Sequence, residues 1–407
     1  MSRSWASDTP PVVPGFRASG IHCGIKARER DLALIVSDRP ASIAGVFTDS
    51  TVVGAPIEWC RDRVFAGRGC GKGRGVVVNS GISNVAMGAR GRRDAAEMAK
   101  LAARATGAAP HEFHVASTGV IGEPVPMACL RRGIPRAAAA LAPSGLGDAA
   151  EAIRTTDTFA KLACTELRIG ARTVRVAGIA KGSGMIEPRM ATLLAFLLTD
   201  AAVAPTFLRR VLRDAVDASF NRISIDGEQS TSDTVLLFAN GHAGQPSLAS
   251  ARSPGAARFR DAVGEVAETL ARDLARDGEG ATKLVTVEVS GAKNPAEAER
   301  CARRIANSLL VKTALFGGDA NWGRILQTVG AGRIEIRPDR AQVKVGGVAV
   351  FRRGRSTGPQ ARRRAAARLD AREVELVVHL GTGRACSRIW TCDLSTEYVR
   401  INAEYTT

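Results

Sequence analysis

Apolar and polar positions along this chain repeat with two periods, and the switches between them outline its elements. Apolar runs at residues 32–36 and 43–47, and one at 76–79 that ends on a turn, predict strands. Residues 113–116 and 174–179 carry the same strand pattern, and 193–198 is an apolar run of strand length. The stretch LVTVEVS (284–290) alternates strictly enough to predict a further strand. Helical spacing predicts helices over 94–105, 206–219 and 256–276, the first with an acidic start that suits the helix macrodipole. Asn294-Pro295 opens another over 294–308. Residues 143–147 and 245–254 read as loops, and no internal repeat is present. Strands and helices are mixed throughout without a βαβ nucleotide fingerprint, which predicts an α+β fold.

The most informative break in this pattern is VRVAGIAKGSGMIEPRMATLLAFLLTD, residues 174–200. Gly182 and Gly184 permit φ > 0 and close backbone approach. Pro188 fixes φ and removes a donor, so the linker is neither a regular helix nor a central strand. Thr192 then puts one hydroxyl at the head of an apolar strand. That arrangement fits a self-cleaving N-terminal nucleophile. Cleavage between Ala191 and Thr192 leaves residues 1–191 and 192–407 and frees the Thr192 α-amine. Its ordinary pKa of about 7.7–8.0 lets it act as base for its own hydroxyl, without a histidine. Spacing alone equally accommodates an ordinary strand threonine.

Other polar clusters are similarly two-sided. STGVIG (117–122) follows the 113–116 strand, and its backbone N–H groups would suit either an oxyanion hole or a plain turn. TTDT (155–158) reads as a helix N-cap. SFNRISIDGEQSTSDT (219–234) reads as a strand edge entering a glycine turn with Asp226 and Asp233, but it lacks the calcium-loop spacing. GGDANWGR (317–324) lacks the G-x-x-x-x-G-K-[ST] pattern of a phosphate loop.

Composition changes the picture little. The 407 residues leave room for two or three domains, and 45% apolar with 24% charged content is ordinary for a globular chain. No run approaches the roughly 20 apolar residues of a membrane span, and the N-terminus lacks the pattern of a secretory signal. The eight cysteines are scattered, with no C-x-x-C and only five histidines, so free thiols are expected and a structural metal is not. The net charge of +17 is the unusual number. Its densest part, residues 352–372, has no interleaved aromatics for base stacking, and ARRRAAARLDAR within it reads as a solvated helix face. A basic surface also draws in small acidic substrates by its field.

Read together and in order, these segments are specific. KGSGMIEPRMATLLAFLLTD, STGVIG, TTDT, SFNRISIDGEQSTSDT, DGEGATK (277–283), GGDANWGRI and the terminal YVRINAEYTT (398–407) span most of the chain. The sequence resembles the ornithine acetyltransferases, the glutamate N-acetyltransferases of arginine biosynthesis. The resemblance implies an N-terminal-nucleophile-type α/β sandwich over residues 1–281 and a C-terminal α/β domain over 282–407, whose tail returns to the active site. It implies Thr192 as nucleophile, Thr118 and Gly119 as oxyanion hole, and Ala191–Thr192 as the cleaved bond. Thr155, Lys181, Thr192, Glu279, Asn402 and Thr407 are then the substrate-binding positions.

The implied reaction is ping-pong transfer of acetyl from N2-acetyl-L-ornithine to L-glutamate, in the cytoplasm and without metal or organic cofactor. Acetyl-CoA stays open as a second donor. The implied partners are small amino acids and a second copy in an α2β2 assembly, with no nucleic acid and no membrane. The chain departs from the family pattern at Ile82 to Val85, where it reads NSGISNV from Asn79, and at Glu228-Gln229, where Asp-Thr is commoner. These departures leave the exact acceptor open. So the competing readings stand beside the first: an amidase or aminopeptidase of the same fold, a secondary-metabolism acetyltransferase paralogue, or a basic RNA-associated protein with an uncleaved chain.

Overall fold

The computed structural model describes residues 3–4, 10–66, 70–187 and 193–404. The first sheet holds β1 (Arg3–Ser4), β2 (Phe16–Ile21), β3 (Leu32–Phe47), β4 (Cys70–Ile82), β5 (Phe113–Val120), β6 (Lys161–Ile169), β7 (Arg172–Lys181), β8 (Leu194–Thr199) and β9 (Thr234–Ala239). Their order is β1-β6-β7-β8-β9-β3-β4-β5, with β2 added against β3. Both apolar runs expected as separate strands belong to β3. Its first half pairs with β2 and its second with β9, while β4 follows both. Between them the register slips, between Val36 and Ala41, and Asp38, Arg39 and Pro40 are exposed. A bulge of this kind bends a strand without ending it.

That bend folds the sheet onto itself. Ile35, Val76 and Val78 from one half share a core with Ile179, Phe196 and Phe238 from the other. Outside one half lie α2 (Gly88–Thr106) and α3 (Met127–Ala139), where Met98 and Leu130 cover Leu34 and Val77. Outside the other lie α5 (Pro205–Ala218) and α6 (Ala256–Arg276), where Val211 and Leu270 cover Val176 and Leu197. The layers therefore run helix, sheet, sheet, helix. Residues of α1 (Ala55–Ala66) and α4 (Leu146–Ala152) complete the middle core. Each fully buried Leu, Ile or Phe there contributes about 1.5–3 kcal/mol, so the sandwich is held by its three apolar seams.

After α6 the chain builds a second unit from β10 (Leu284–Ala292), α7 (Pro295–Ala306), α8 (Leu309–Phe316), α9 (Trp322–Ala331), β11 (Gln342–Val345), β12 (Val348–Arg352), β13 (Arg355–Ser356), α10 (Pro359–Arg368), β14 (Glu373–His379), β15 (Ala385–Cys392) and α11 (Thr396–Glu404). Its sheet runs β13-β12-β11-β14-β10-β15, with β10 and β14 parallel. The molecule is α+β, as its pattern predicts. In the basic stretch, α10 turns Ala361 and Ala365 inward and Arg362, Arg363 and Arg364 outward. No helix among the described residues is long and apolar enough to cross a membrane.

Three local expectations fail. The loop expected over 143–147 already starts α4 at Leu146. No helix follows TTDT, because the Asp157 carboxylate serves groups from other segments instead. SFNRISIDGEQSTSDT forms no strand before Thr234; a 3-10 turn at Phe220–Arg222 and one bridge from Ile223 to Trp390 take its place.

Candidate active site

Strands ending side by side assemble the site. β4 and β5 run parallel and bring Gly81 and Gly119, each one residue before its strand's end, face to face, while Lys181 closes β7 opposite Leu194. Gly119 has φ 125°, and a Cβ there would lie 2.2 Å from the Gly81 carbonyl carbon. Only glycine fits that approach, which brings the backbone after Thr118 to the cavity. Thr118, Gly119, Thr155, Lys181, Glu279 and Asn402 all line one cavity, together with Leu193, the residue that follows Thr192 in the chain. Ala191, Thr192 and Thr407 lie outside the described residues.

The Lys181 ammonium donates to Thr155 Oγ1 at 2.7 Å and to Thr118 Oγ1 at 3.1 Å. Both hydroxyls accept, so each keeps its own O–H to give to another group. Burial pushes the Lys181 ammonium below its usual pKa, against the carboxylates of Asp157, Asp233 and Glu279, which favour the charged form. Across the cavity, Asn402 Nδ2 on α11 donates to Glu279 Oε2 at 2.8 Å. The Glu279 backbone N–H donates to the Ser183 carbonyl at 2.8 Å, which ties this loop to the glycine-rich turn. A Cβ on Gly184 would lie 2.5 Å from the Glu279 carboxylate, so glycine is what makes room for it.

Behind these groups lies a constellation the sequence does not reveal. Lys161 reaches Asp157 Oδ1 at 2.7 Å and Asp277 Oδ2 at 2.5 Å, and all three side chains are almost fully closed off from water. Asp157 also accepts from the Gly182 N–H at 2.6 Å and the Thr155 N–H at 3.0 Å. Burial alone would raise the Asp157 carboxyl, but the Lys161 and Lys181 ammoniums and the Gly182 amide outweigh it and hold it well below the usual range. Asp277 accepts from the Thr158 N–H at 3.0 Å and from the Thr158 hydroxyl. Thus TTDT, the Lys181 turn and the Glu279 loop are joined through one buried cation. The only signal in the sequence is the four-residue spacing of Asp157 and Lys161.

Asp226 is a second structural carboxylate. It accepts from the N–H groups of Met185 at 2.6 Å and Ile186 at 2.8 Å, and Tyr398 Oη lies 3.4 Å away. Met185 is held at φ 55°, a conformation that costs a non-glycine residue about 1–3 kcal/mol and needs such anchoring. Ser83, in the segment that departs from the family pattern, also lines the cavity, with its hydroxyl donated to the Val120 carbonyl at 2.8 Å. No cluster of three or more metal-ligating side chains exists among the described residues. The arrangement can grip a small molecule that carries a carboxylate at one end and an ammonium at the other, with hydroxyls and strand-end N–H groups near its centre.

The sequence model of the ArgJ family matches residues 17–407. The arginine biosynthesis bifunctional protein ArgJ of Geobacter sulfurreducens is 48% identical over 398 residues, covering 97% of this chain and all of that one. The protein of the same name from Symbiobacterium thermophilum is 46% identical, covering 99% of this chain and all of that one. Among solved structures, the arginine biosynthesis bifunctional protein ArgJ from Bacillus halodurans is 40% identical; the match covers 52% of this chain and 98% of that one, at a TM-score of 0.49. An ornithine acetyltransferase from Mycobacterium tuberculosis, complexed with ornithine, is 33% identical over 47% of this chain and all of that one, at a TM-score of 0.42. By a match that runs almost from end to end, this chain belongs to the ArgJ family.

Proposed function

We propose that this chain is a self-processing glutamate N-acetyltransferase of arginine biosynthesis. One observation carries the reading: Thr118, Lys181 and Thr155 on one side, and Glu279 with Asn402 on the other, line a single cavity that Leu193 also enters. Lys181 pairs the α-carboxylate of N2-acetyl-L-ornithine, and Glu279 pairs its δ-ammonium. The Thr192 hydroxyl, freed of its proton by the α-amine that cleavage at Ala191 exposes, attacks the acetyl carbonyl. Thr118 and the Gly119 N–H hold the resulting oxyanion. Collapse breaks the C–N bond, the proton passes to the leaving amine, and ornithine departs from an acetyl-threonine. The amine of L-glutamate then attacks that ester, N-acetylglutamate leaves, and the hydroxyl recovers its proton.

Thr407 adds a further contact to the substrate in this reading, and acetyl-CoA serves as the other donor to try. No metal or organic cofactor takes part. Residues 1–281 form the catalytic unit and 282–407 the C-terminal one, while the cleaved chains stay interwoven and pair into an α2β2 assembly in the cytoplasm.

Intact-mass analysis of the purified protein tests the core of this. The expected result is two polypeptides, 1–191 and 192–407, with Thr192→Ala remaining one chain. Labelled N-acetylornithine should leave acetyl only on the fragment that begins at Thr192. A wild-type chain that stays whole overturns the mechanism. Steady release of acetate without any amine acceptor would make the enzyme an amidase instead.

A further inference from the structure

A second concave site lies outside the acetyl-transfer cavity. Helix α7 presents Arg300, Arg303 and Arg304 along one side of a cleft of about 720 Å³, and α9 presents Gln327 and Thr328 on the other. Cavities of roughly 300–1,000 Å³ are the size that takes metabolites. Glu187 and Glu299 also line the cleft, but both are already occupied. Glu187 accepts from Asn307 Nδ2 at 2.6 Å and faces Arg303 Nη1 at 3.5 Å. Glu299 accepts from Arg303 Nη2 at 3.0 Å and lies 3.1 Å from Arg222 Nη1. Arg303 is thereby neutralised within the protein.

Arg300 and Arg304 are not. The carboxylate paired with Arg300 is Glu297, at a loose 3.8 Å, with the arginine more than half exposed. Arg304 spends only its Nε, on the Thr328 carbonyl at 3.4 Å, and its two terminal nitrogens have no partner among the described residues. Its side chain lies flat over Gly332, where a Cβ would come within 2.5 Å of Nε, so the absence of a side chain there helps fix its direction. Spent acceptors beside open guanidiniums select an anion, not a zwitterion, and guanidiniums favour planar or tetrahedral oxyanions.

We propose that this cleft binds a small polyanion bearing phosphate or carboxylate groups, with Arg300 and Arg304 as the charged contacts and the Gln327 amide as a neutral donor. Glu187 in the cleft follows Gly184 and Met185 of the acetyl-transfer cavity closely in the chain, and no described residue lines both. The site does not depend on which acyl group that cavity transfers.

Calorimetric titration of the purified full-length protein with inorganic pyrophosphate and, separately, with citrate tests this, at constant ionic strength and with ornithine saturating. The expected result is one saturable site for at least one probe, and the tighter probe tells phosphate from carboxylate. Arg300→Gln/Arg304→Gln should weaken binding by about tenfold or more, the scale of one lost charge-assisted hydrogen bond. Arg363→Gln/Arg364→Gln removes the same charge from the exposed face of α10 and should leave affinity unchanged. Both pairs are on exposed positions, so folding is preserved. No saturable binding of either probe overturns the proposal, and so does an equal loss in the two double variants.

Discussion

Lys161 shows how much of this site is built from residues that never meet a substrate. It is closed off from water between Asp157 and Asp277, and each acid holds a different loop. A buried pair gains little net stability over apolar residues of the same shape, but removing one partner strands the other. Lys161→Met leaves two buried carboxylates facing each other, so it should destabilise the protein by about 3–5 kcal/mol, read as a lowered urea midpoint. In the fraction that folds, Thr155 and Glu279 lose their common anchor, and KM for the amino-acid substrate should rise more than kcat falls. Little of this was legible in the sequence. Asp157 and Asp277 each lie in a segment that resembles the family, yet nothing in the order of residues says that Lys161, beside the first, also reaches the second, 116 positions further on. Charge pairs between distant segments leave no local period to read.

At the scale of elements, each apolar run expected as a strand lies in one, in β3, β4, β5, β7, β8 or β10, because alternation and apolar runs are local signals. β2, β6, β9 and every strand after β10 carry no such expectation, and the joins between strands differ as well. β3 reads as two strands because Asp38-Arg39-Pro40 looks like a turn, and the structure passes through it as a bulge. α1 carries no helix expectation because its inward residues, Ala55, Ile57, Trp59, Cys60 and Val64, are interleaved with arginines and acids. Polar runs such as TTDT misled for a related reason, since a side chain that caps a helix and one that ties two loops look alike in sequence. The glycine pair at the ends of β4 and β5 is where element and chemistry meet. Gly119→Ala must place a Cβ 2.2 Å from the Gly81 backbone while holding φ 125°. The strand ends then have to part, at a cost of about 1–3 kcal/mol for the dihedral alone. Circular dichroism should show a retained fold, with kcat down by at least about tenfold as the Gly119 N–H leaves the cavity. Unchanged kcat would remove Gly119 from the oxyanion hole.

For the whole molecule, the folded sheet brings positions 118, 155, 181, 279 and 402 to one cavity, and the last arrives on a helix that ends the described chain. The core that makes this convergence possible also sets how the protein responds to acid. His114 on β5 is fully enclosed, edge-on to Phe238 with ring centroids 6.0 Å apart. Burial, with a smaller push from Arg63, lowers its pKa from 6.5 to about 4. The unfolded chain therefore takes up a proton below about 6.5 that the folded protein refuses until about 4. The His114 contribution is whole above pH 6.5 and is lost as pH falls through that window, on the order of 3 kcal/mol in all. Asp157 acts in a separate range. Its folded pKa is depressed, so its contribution is intact above the ordinary carboxylate value near 3.8 and goes only in stronger acid. Urea unfolding at pH 7.5, 5.5 and 4.5 should accordingly show a steady loss of stability. His114→Phe, which keeps a ring against Phe238, should flatten that slope by close to one proton between pH 6.5 and 4. An equal slope in wild type and variant would mean that His114 is charged inside the fold and that some other group carries the acid sensitivity.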